Sequence, residues 1–119
     1  MNNSEEKAVY KLNVSFGRMG DLSGLFVAKK NHVKLLLEHK LEVYFGEVLG
    51  KHSEIYGEIE ESDMSLVSDS IDVIDVVEKH KLETGFNPFE YSITNSERED
   101  FEDLTILEVV EILERESIS

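Results

Sequence analysis

The stretch Leu41–Ile59 reads LEVYFGEVLGKHSEIYGEI, and its pattern decides the fold class. The part up to Leu49 is rich in β-branched and aromatic residues, which favours a strand, and Gly46 within it indicates a bulge. Strand character resumes from Ser53 to the end of the stretch. Because only a short turn around Gly50 separates the two segments, they are predicted to form an antiparallel hairpin.

Two further strands are predicted before this hairpin. Val9–Phe16 alternates apolar and polar side chains, the period-two pattern of a strand with one buried face. A glycine-rich loop, Gly17–Gly24, follows it, and then the short apolar run Leu25–Ala28. The chain is therefore expected to contain about four strands.

Three amphipathic segments predict helices, with their caps at Asn31, at Ser68 or Ser70, and at Ser96. Glu99 follows Ser96 at the spacing of a capping box, so the last helix is expected to begin there. The predicted buried stripe of this helix consists of Phe101, Leu104, Leu107, Val110 and Leu113.

Strands interleaved with helices predict an α+β fold, with a mixed or antiparallel sheet of about four strands and about three helices packed on it. A chain of 119 residues is the usual length for one domain. No linker or internal repeat divides it, so residues 1–119 are expected to form a single domain. Residues 1–8 are expected to fray.

The charge of the chain is strongly acidic and unevenly distributed. The chain contains 12 Lys and Arg residues and 26 Asp and Glu residues, which gives a formal net charge of −14. Residues 1–52 carry eight basic and six acidic residues, whereas residues 53–119 carry four and twenty. Direct binding to nucleic acid or to an anionic membrane is therefore not expected, because both require a basic surface.

The last predicted helix places part of this charge on one face. Its apolar stripe leaves Glu97, Glu108, Glu111 and Glu114 facing outward. A carboxylate face of this kind accelerates encounter with a positively charged protein. The preferred hypothesis is therefore a small non-enzymatic interaction protein with a basic protein partner, including the case of an inhibitor that imitates DNA phosphates. A purely solubilising acidic surface is the simpler alternative.

The residue composition also bears on location and cofactors. The chain contains no cysteine, which excludes disulfides and thiol chemistry and is typical of a reducing compartment. No segment has the pattern of a signal peptide or the ~18 apolar residues of a membrane helix. A cytoplasmic protein without a cofactor is expected.

The region Gly50–Tyr56 is an alternative site, for a small metal-dependent or hydrolytic enzyme or a ligand-binding domain. His52 and Glu54 flank the predicted turn and Glu47 lies shortly before it, so acid–base groups could converge there. His52 and Glu54 offer at most two metal ligands, one fewer than a catalytic zinc site uses, although His32, His39 or His80 could complete the set from elsewhere in the fold. No metal ligands are assigned from the sequence.

Two other hypotheses concern the histidines and self-association. His32 and His39 are two turns apart on one predicted helix, too far apart to share an ion, and both are expected at the surface. A self-assembling domain, in which the mildly basic first half of one copy meets the acidic second half of another, is the third functional hypothesis.

Overall fold

The computed structural model describes residues 6–17, 20–46, 54–94 and 98–118. Its helices and strands follow one another along the chain as β1 (Lys7–Ser15), β2 (Asp21–Lys29), α1 (Lys30–Glu38), β3 (Glu42–Gly46), β4 (Ile55–Glu58), β5 (Met64–Ser68), α2 (Ile71–Lys79), β6 (Thr84–Gly85), β7 (Ser92–Thr94) and α3 (Ile106–Ile118). Short 3₁₀ turns precede β5, β7 and α3.

The strands form two antiparallel sheets, ordered β5-β1-β2-β6 and β4-β3-β7. The α+β prediction is confirmed, as is the antiparallel hairpin, in which β3 pairs with β4 through Tyr44 opposite Tyr56. The sequence predicts one sheet of about four strands, whereas the structure divides its strands between two sheets. Strand β5, which the sequence did not predict, lies at one edge of the larger sheet.

The period-two pattern of β1 separates two faces of the larger sheet. Tyr10, Leu12 and Val14 are buried in the main core, while Lys11 and Asn13 between them are exposed. Helices α1 and α3 and the smaller sheet complete this core. Its buried members include Phe26, Leu36, Val43, Phe45, Ile55, Ile106, Val109 and Val110.

Helix α2 packs on the opposite face of the larger sheet. Its Ile74 and Val77 form a small separate cluster with Val9 of β1. Only these two residues of α2 are buried. The helix is therefore held by a narrow contact and leaves most of its surface exposed.

Several predicted boundaries are wrong. Strand β1 begins at Lys7 and buries Ala8 completely, so these two residues do not fray, while residues 1–5 of the stretch predicted to fray lie outside the described residues. Strand β2 begins at Asp21, so the preceding loop is shorter than predicted. Gly24, predicted to belong to that loop, lies inside β2. Glycine is required at this position because a Cβ would collide with the carbonyl oxygen of Phe86. Asn31 does not cap α1, because the helix begins at Lys30 and its N-cap position is Lys29, two residues before the predicted cap.

The last helix begins nine residues later than the sequence predicts, with its N-cap at Thr105 instead of Ser96. Its capping pair is Thr105 and Glu108: the Glu108 N–H donates to Thr105 Oγ1 at 3.2 Å, and the Thr105 N–H donates to Glu108 Oε1 at 2.9 Å. Ser96 lies outside the described residues. The buried stripe of α3 consists of Ile106, Val109, Val110 and Leu113, and Leu107 is exposed. None of the helices in the described ranges is both long and apolar enough to cross a membrane.

Candidate protein-binding groove

Exposed apolar side chains are concentrated on β5, on α2 and just after it. Of the eight large apolar side chains that are exposed among the described residues, six fall within this part of the chain: Leu66, Val67, Ile71, Val73, Val76 and Leu82. Ile71 is the most exposed, at 75% of its surface. Contiguous apolar exposure marks interaction surfaces in soluble proteins, and Ile71 is the member of this group that lines a cleft beside α2.

A cleft of about 560 Å³ lies between α2 and the starts of β1 and α1. Ile71 and Ile74 supply its apolar wall. Its charged lining consists of Glu6, Lys7, Lys30, Asp69, Asp75 and Glu78. The cleft thus combines an apolar wall with carboxylates.

A second cleft, of about 320 Å³, lies between the ends of α2 and β2 and the start of α3. Phe89 and Leu107 are among its apolar lining residues, and Glu90 and Glu111 add carboxylates. Lys7 and Glu78 line both clefts, and their Nζ and Oε2 atoms are 3.7 Å apart. We call the two clefts together the acidic groove.

The acidic groove carries more negative than positive charge. Six carboxylates line it, from Glu6, Asp69, Asp75, Glu78, Glu90 and Glu111, against three lysines, Lys7, Lys29 and Lys30. Lys30 Nζ lies 2.9 Å from Asp69 Oδ2 and 3.3 Å from Glu6 Oε2. The hydrogen bond from Lys30 lowers the pKa of Asp69, and the same bond is the main cause of the raised pKa of Lys30.

His32 lies at the base of the second cleft. The side chain is buried, its Nε2 is 3.4 Å from Glu114 Oε1, and its ring centroid is 6.3 Å from that of Phe89. Asn31 Nδ2 donates to Glu114 Oε2 at 2.8 Å. Burial by itself raises the pKa of Glu114, but the Asn31 hydrogen bond and the nearby His32 outweigh it, so this pKa lies below its usual range. Glu114 therefore links α3 to α1.

The four predicted interaction residues have different environments. Glu114 does not face outward, because it is largely covered by α1 and has a side-chain exposure of only 16%. Glu108 is exposed, but its carboxylate accepts hydrogen bonds at the helix cap. Glu111 is exposed and lines the acidic groove. Glu97 lies outside the described residues.

The predicted catalytic region is only partly described. Glu47, Gly50 and His52 lie outside the described residues, while Glu54 is exposed immediately before β4. The expectation that His32 is a surface residue is wrong, whereas His39 is exposed as predicted. In the described ranges, no group of three or more His, Asp or Glu side chains is placed to hold a metal ion.

Another cleft, of about 550 Å³, lies beside Arg98. The guanidinium binds Asp100 at 2.7 Å and Glu116 at 2.9 Å and stacks 4.2 Å above the Phe101 ring. These hydrogen bonds, first that to Glu116, raise the pKa of Arg98. These contacts hold the 3₁₀ turn Glu99–Phe101 against α3. The charges of Arg98, Asp100 and Glu116 therefore have a structural role.

The sequence alone indicates an acidic face on the last helix and does not reveal the acidic groove. Its carboxylates come from separate segments that are brought together only by folding. A partial signal was present in α2, where Ile71, Val73, Ile74, Val76 and Val77 exceed the single stripe that a helix packed on a sheet can bury.

No protein-family model, curated protein or solved structure matches the chain.

Proposed function

We propose that the protein is a small non-enzymatic interaction protein that binds a positively charged segment of another protein in the acidic groove. The observation that carries this proposal is the combination of six carboxylates with the exposed apolar side chains of Ile71 and Leu107 in two clefts that share Lys7 and Glu78. The proposal retains the basic partner predicted from the net charge of −14 and moves its site from α3 alone to the groove.

Lysine and arginine side chains suit this groove in both chemistry and shape. Each has an aliphatic stem that packs on apolar surface and a cationic head that seeks carboxylates. Ile71 and Ile74 offer apolar contacts beside Asp75 in the first cleft. Leu107 offers an apolar contact beside Glu111 in the second cleft. Two cationic side chains of one segment can thus be accommodated on either side of Glu78.

The test replaces Asp75 and Glu111 together, as Asp75→Asn and Glu111→Gln. Both carboxylates are exposed, line the groove and make no ion pair with another described residue. The matched control is Glu58→Gln with Glu102→Gln, which makes the same change in net charge at exposed positions outside the groove.

Each protein is immobilised and exposed to a lysate of the organism that encodes it, at low and at high salt. The groove variant is expected to bind its captured partner about two- to thirtyfold more weakly than wild type, because each of the two partly exposed charge pairs contributes about 0.2–1 kcal/mol. The control is expected to bind as wild type does. Equal weakening by both variants would show that net charge matters and the groove does not.

A nucleic-acid-binding protein is the basic partner class that the DNA-imitation hypothesis specifies. Such a partner presents a surface that has evolved to neutralise closely spaced phosphates. If the groove occupies that surface, duplex DNA should displace the protein from its captured partner in a concentration-dependent manner. A captured partner that holds DNA and this protein at the same time would exclude phosphate imitation but leave groove binding intact.

A further inference from the structure

Strand β5 presents an open edge of the larger sheet. Among the described residues it pairs only with β1, through Ser68, Leu66, Ser65 and Met64. On an edge strand, backbone N–H and C=O groups that do not face the neighbouring strand point outward and can accept a further strand. The edge of β5 therefore offers unpaired hydrogen-bonding groups.

The side chains of β5 leave this edge accessible. The strand reads MSLVS and contains neither a charged residue nor a proline, the two residue kinds that most often protect edges. Leu66 and Val67 are each about half exposed, at 50% and 53%. The pairing with β1 skips Val67, so the strand contains a bulge at this residue.

Acidic residues flank β5 on both sides and argue against a second copy of this chain as the added strand. In antiparallel pairing centred on Leu66, Asp63 of one copy would lie opposite Asp69 of the other. In parallel pairing each aspartate would lie beside its own counterpart. Both arrangements oppose like charges. Asp69 is bonded to Lys30 but remains 60% exposed, so it still contributes to this repulsion.

We infer that β5 accepts an extended segment of the partner protein as an additional strand, with apolar residues at its centre and Lys or Arg at both ends. The apolar centre would cover Leu66 and Val67, and the basic ends would meet Asp63 and Asp69. Strand addition of this kind takes affinity from backbone hydrogen bonds and specificity from side chains.

The strand edge and the acidic groove are neighbours. Asp69 follows the last residue of β5 directly and also lines the first cleft. One extended basic segment can therefore pair with β5 and continue into the groove. The inference rests on the proposed function, since it assigns a binding mode to the same basic partner.

The probe is a synthetic peptide with a Val-Thr-Val centre and two lysines at each end, added to isotope-labelled full-length protein. Backbone amide shifts and amide hydrogen exchange are followed by NMR. We expect shifts and slowed exchange over residues 64–68, together with shifts at Asp75 in the groove. The matched control is a peptide with glutamates in place of its lysines. It should cause neither the shifts nor the slowed exchange.

A second peptide carries N-methyl groups on its central backbone nitrogens and keeps every side chain. It lacks donors for strand pairing, so its affinity should fall about tenfold or more, the loss expected for one or two backbone hydrogen bonds. This comparison leaves the protein unaltered and thus avoids any effect on its folding.

Three results would overturn the inference. Shifts confined to the groove, with equal binding of the methylated peptide, would exclude strand addition but leave the proposed function standing. No shifts in either region would count against both. Concentration-dependent protection of β5 without peptide would show that a second copy occupies the edge.

Discussion

At the scale of single residues, Glu114 has a structural role, in contrast to the carboxylates that are proposed to bind a partner. It is the carboxylate that α3 directs toward α1, where it receives the Asn31 hydrogen bond. Glu111, three residues earlier, remains exposed in the groove. Glu114→Ala should lower the free energy of unfolding by about 1–2 kcal/mol, since it leaves the partly buried Asn31 donor without this partner, whereas Glu111→Ala should change it little. Urea unfolding of the two variants measures the difference, and equal effects would contradict this assignment.

The lowered pKa of Glu114 also predicts a pH dependence. A carboxyl group whose pKa is lower in the folded state stabilises the protein above its unfolded pKa, about 4.3, and this contribution is lost as pH falls through the folded pKa. The difference in unfolding free energy between wild type and Glu114→Gln should therefore narrow below about pH 4. Denaturation at pH 7 and at successively lower pH tests this, and a constant difference would refute it.

At the scale of elements, α2 is held by few contacts. Ile74 is buried against β1 and Val73 beside it is exposed. Ile74→Ala should cost about 2–3 kcal/mol of stability, because it removes apolar burial and leaves a cavity in the small cluster. Val73→Ala should cost almost nothing, since it also improves helix propensity. Thermal unfolding distinguishes the two variants. Comparable losses of stability in both would show that α2 packs through more of its surface.

The elements that the sequence predicts well are those whose pattern is set by one packing surface. The alternation of Tyr10, Leu12 and Val14 identifies β1 because one face is buried and the other exposed. Strand β5 escapes prediction because an edge strand with exposed Leu66 and Val67 has no alternation to detect. The start of α3 was misplaced because two capping boxes fit the sequence, and only tertiary packing selects Thr105 and Glu108.

The candidate site was less predictable than the fold, for a physical reason. Glu111 was identified from its helix face, and it does line the groove. Glu114 occupies the same predicted face, but α1 covers it, and no local pattern indicates which neighbour a helix will meet. Glu6, Asp69 and Glu90 come from three different segments, so their convergence depends on tertiary structure alone.

At the scale of the whole molecule, the central claim is that negative charge in the acidic groove draws in a basic partner. Electrostatic attraction acts mainly on the rate of association, and salt weakens it as the Debye length shortens from ~10 Å at 0.1 M to ~3 Å at 1 M. The charge that faces the partner should therefore dominate this rate, whereas charge elsewhere on the surface should matter less.

The most direct measurement is the association rate constant of the purified partner with wild type, with the Asp75→Asn, Glu111→Gln variant and with the Glu58→Gln, Glu102→Gln control, across this range of salt. The account predicts that the groove variant associates more slowly at 0.1 M salt, that the control resembles wild type, and that all three converge at 1 M. Equal association rates for all three proteins at low salt, with no dependence on salt, would contradict it.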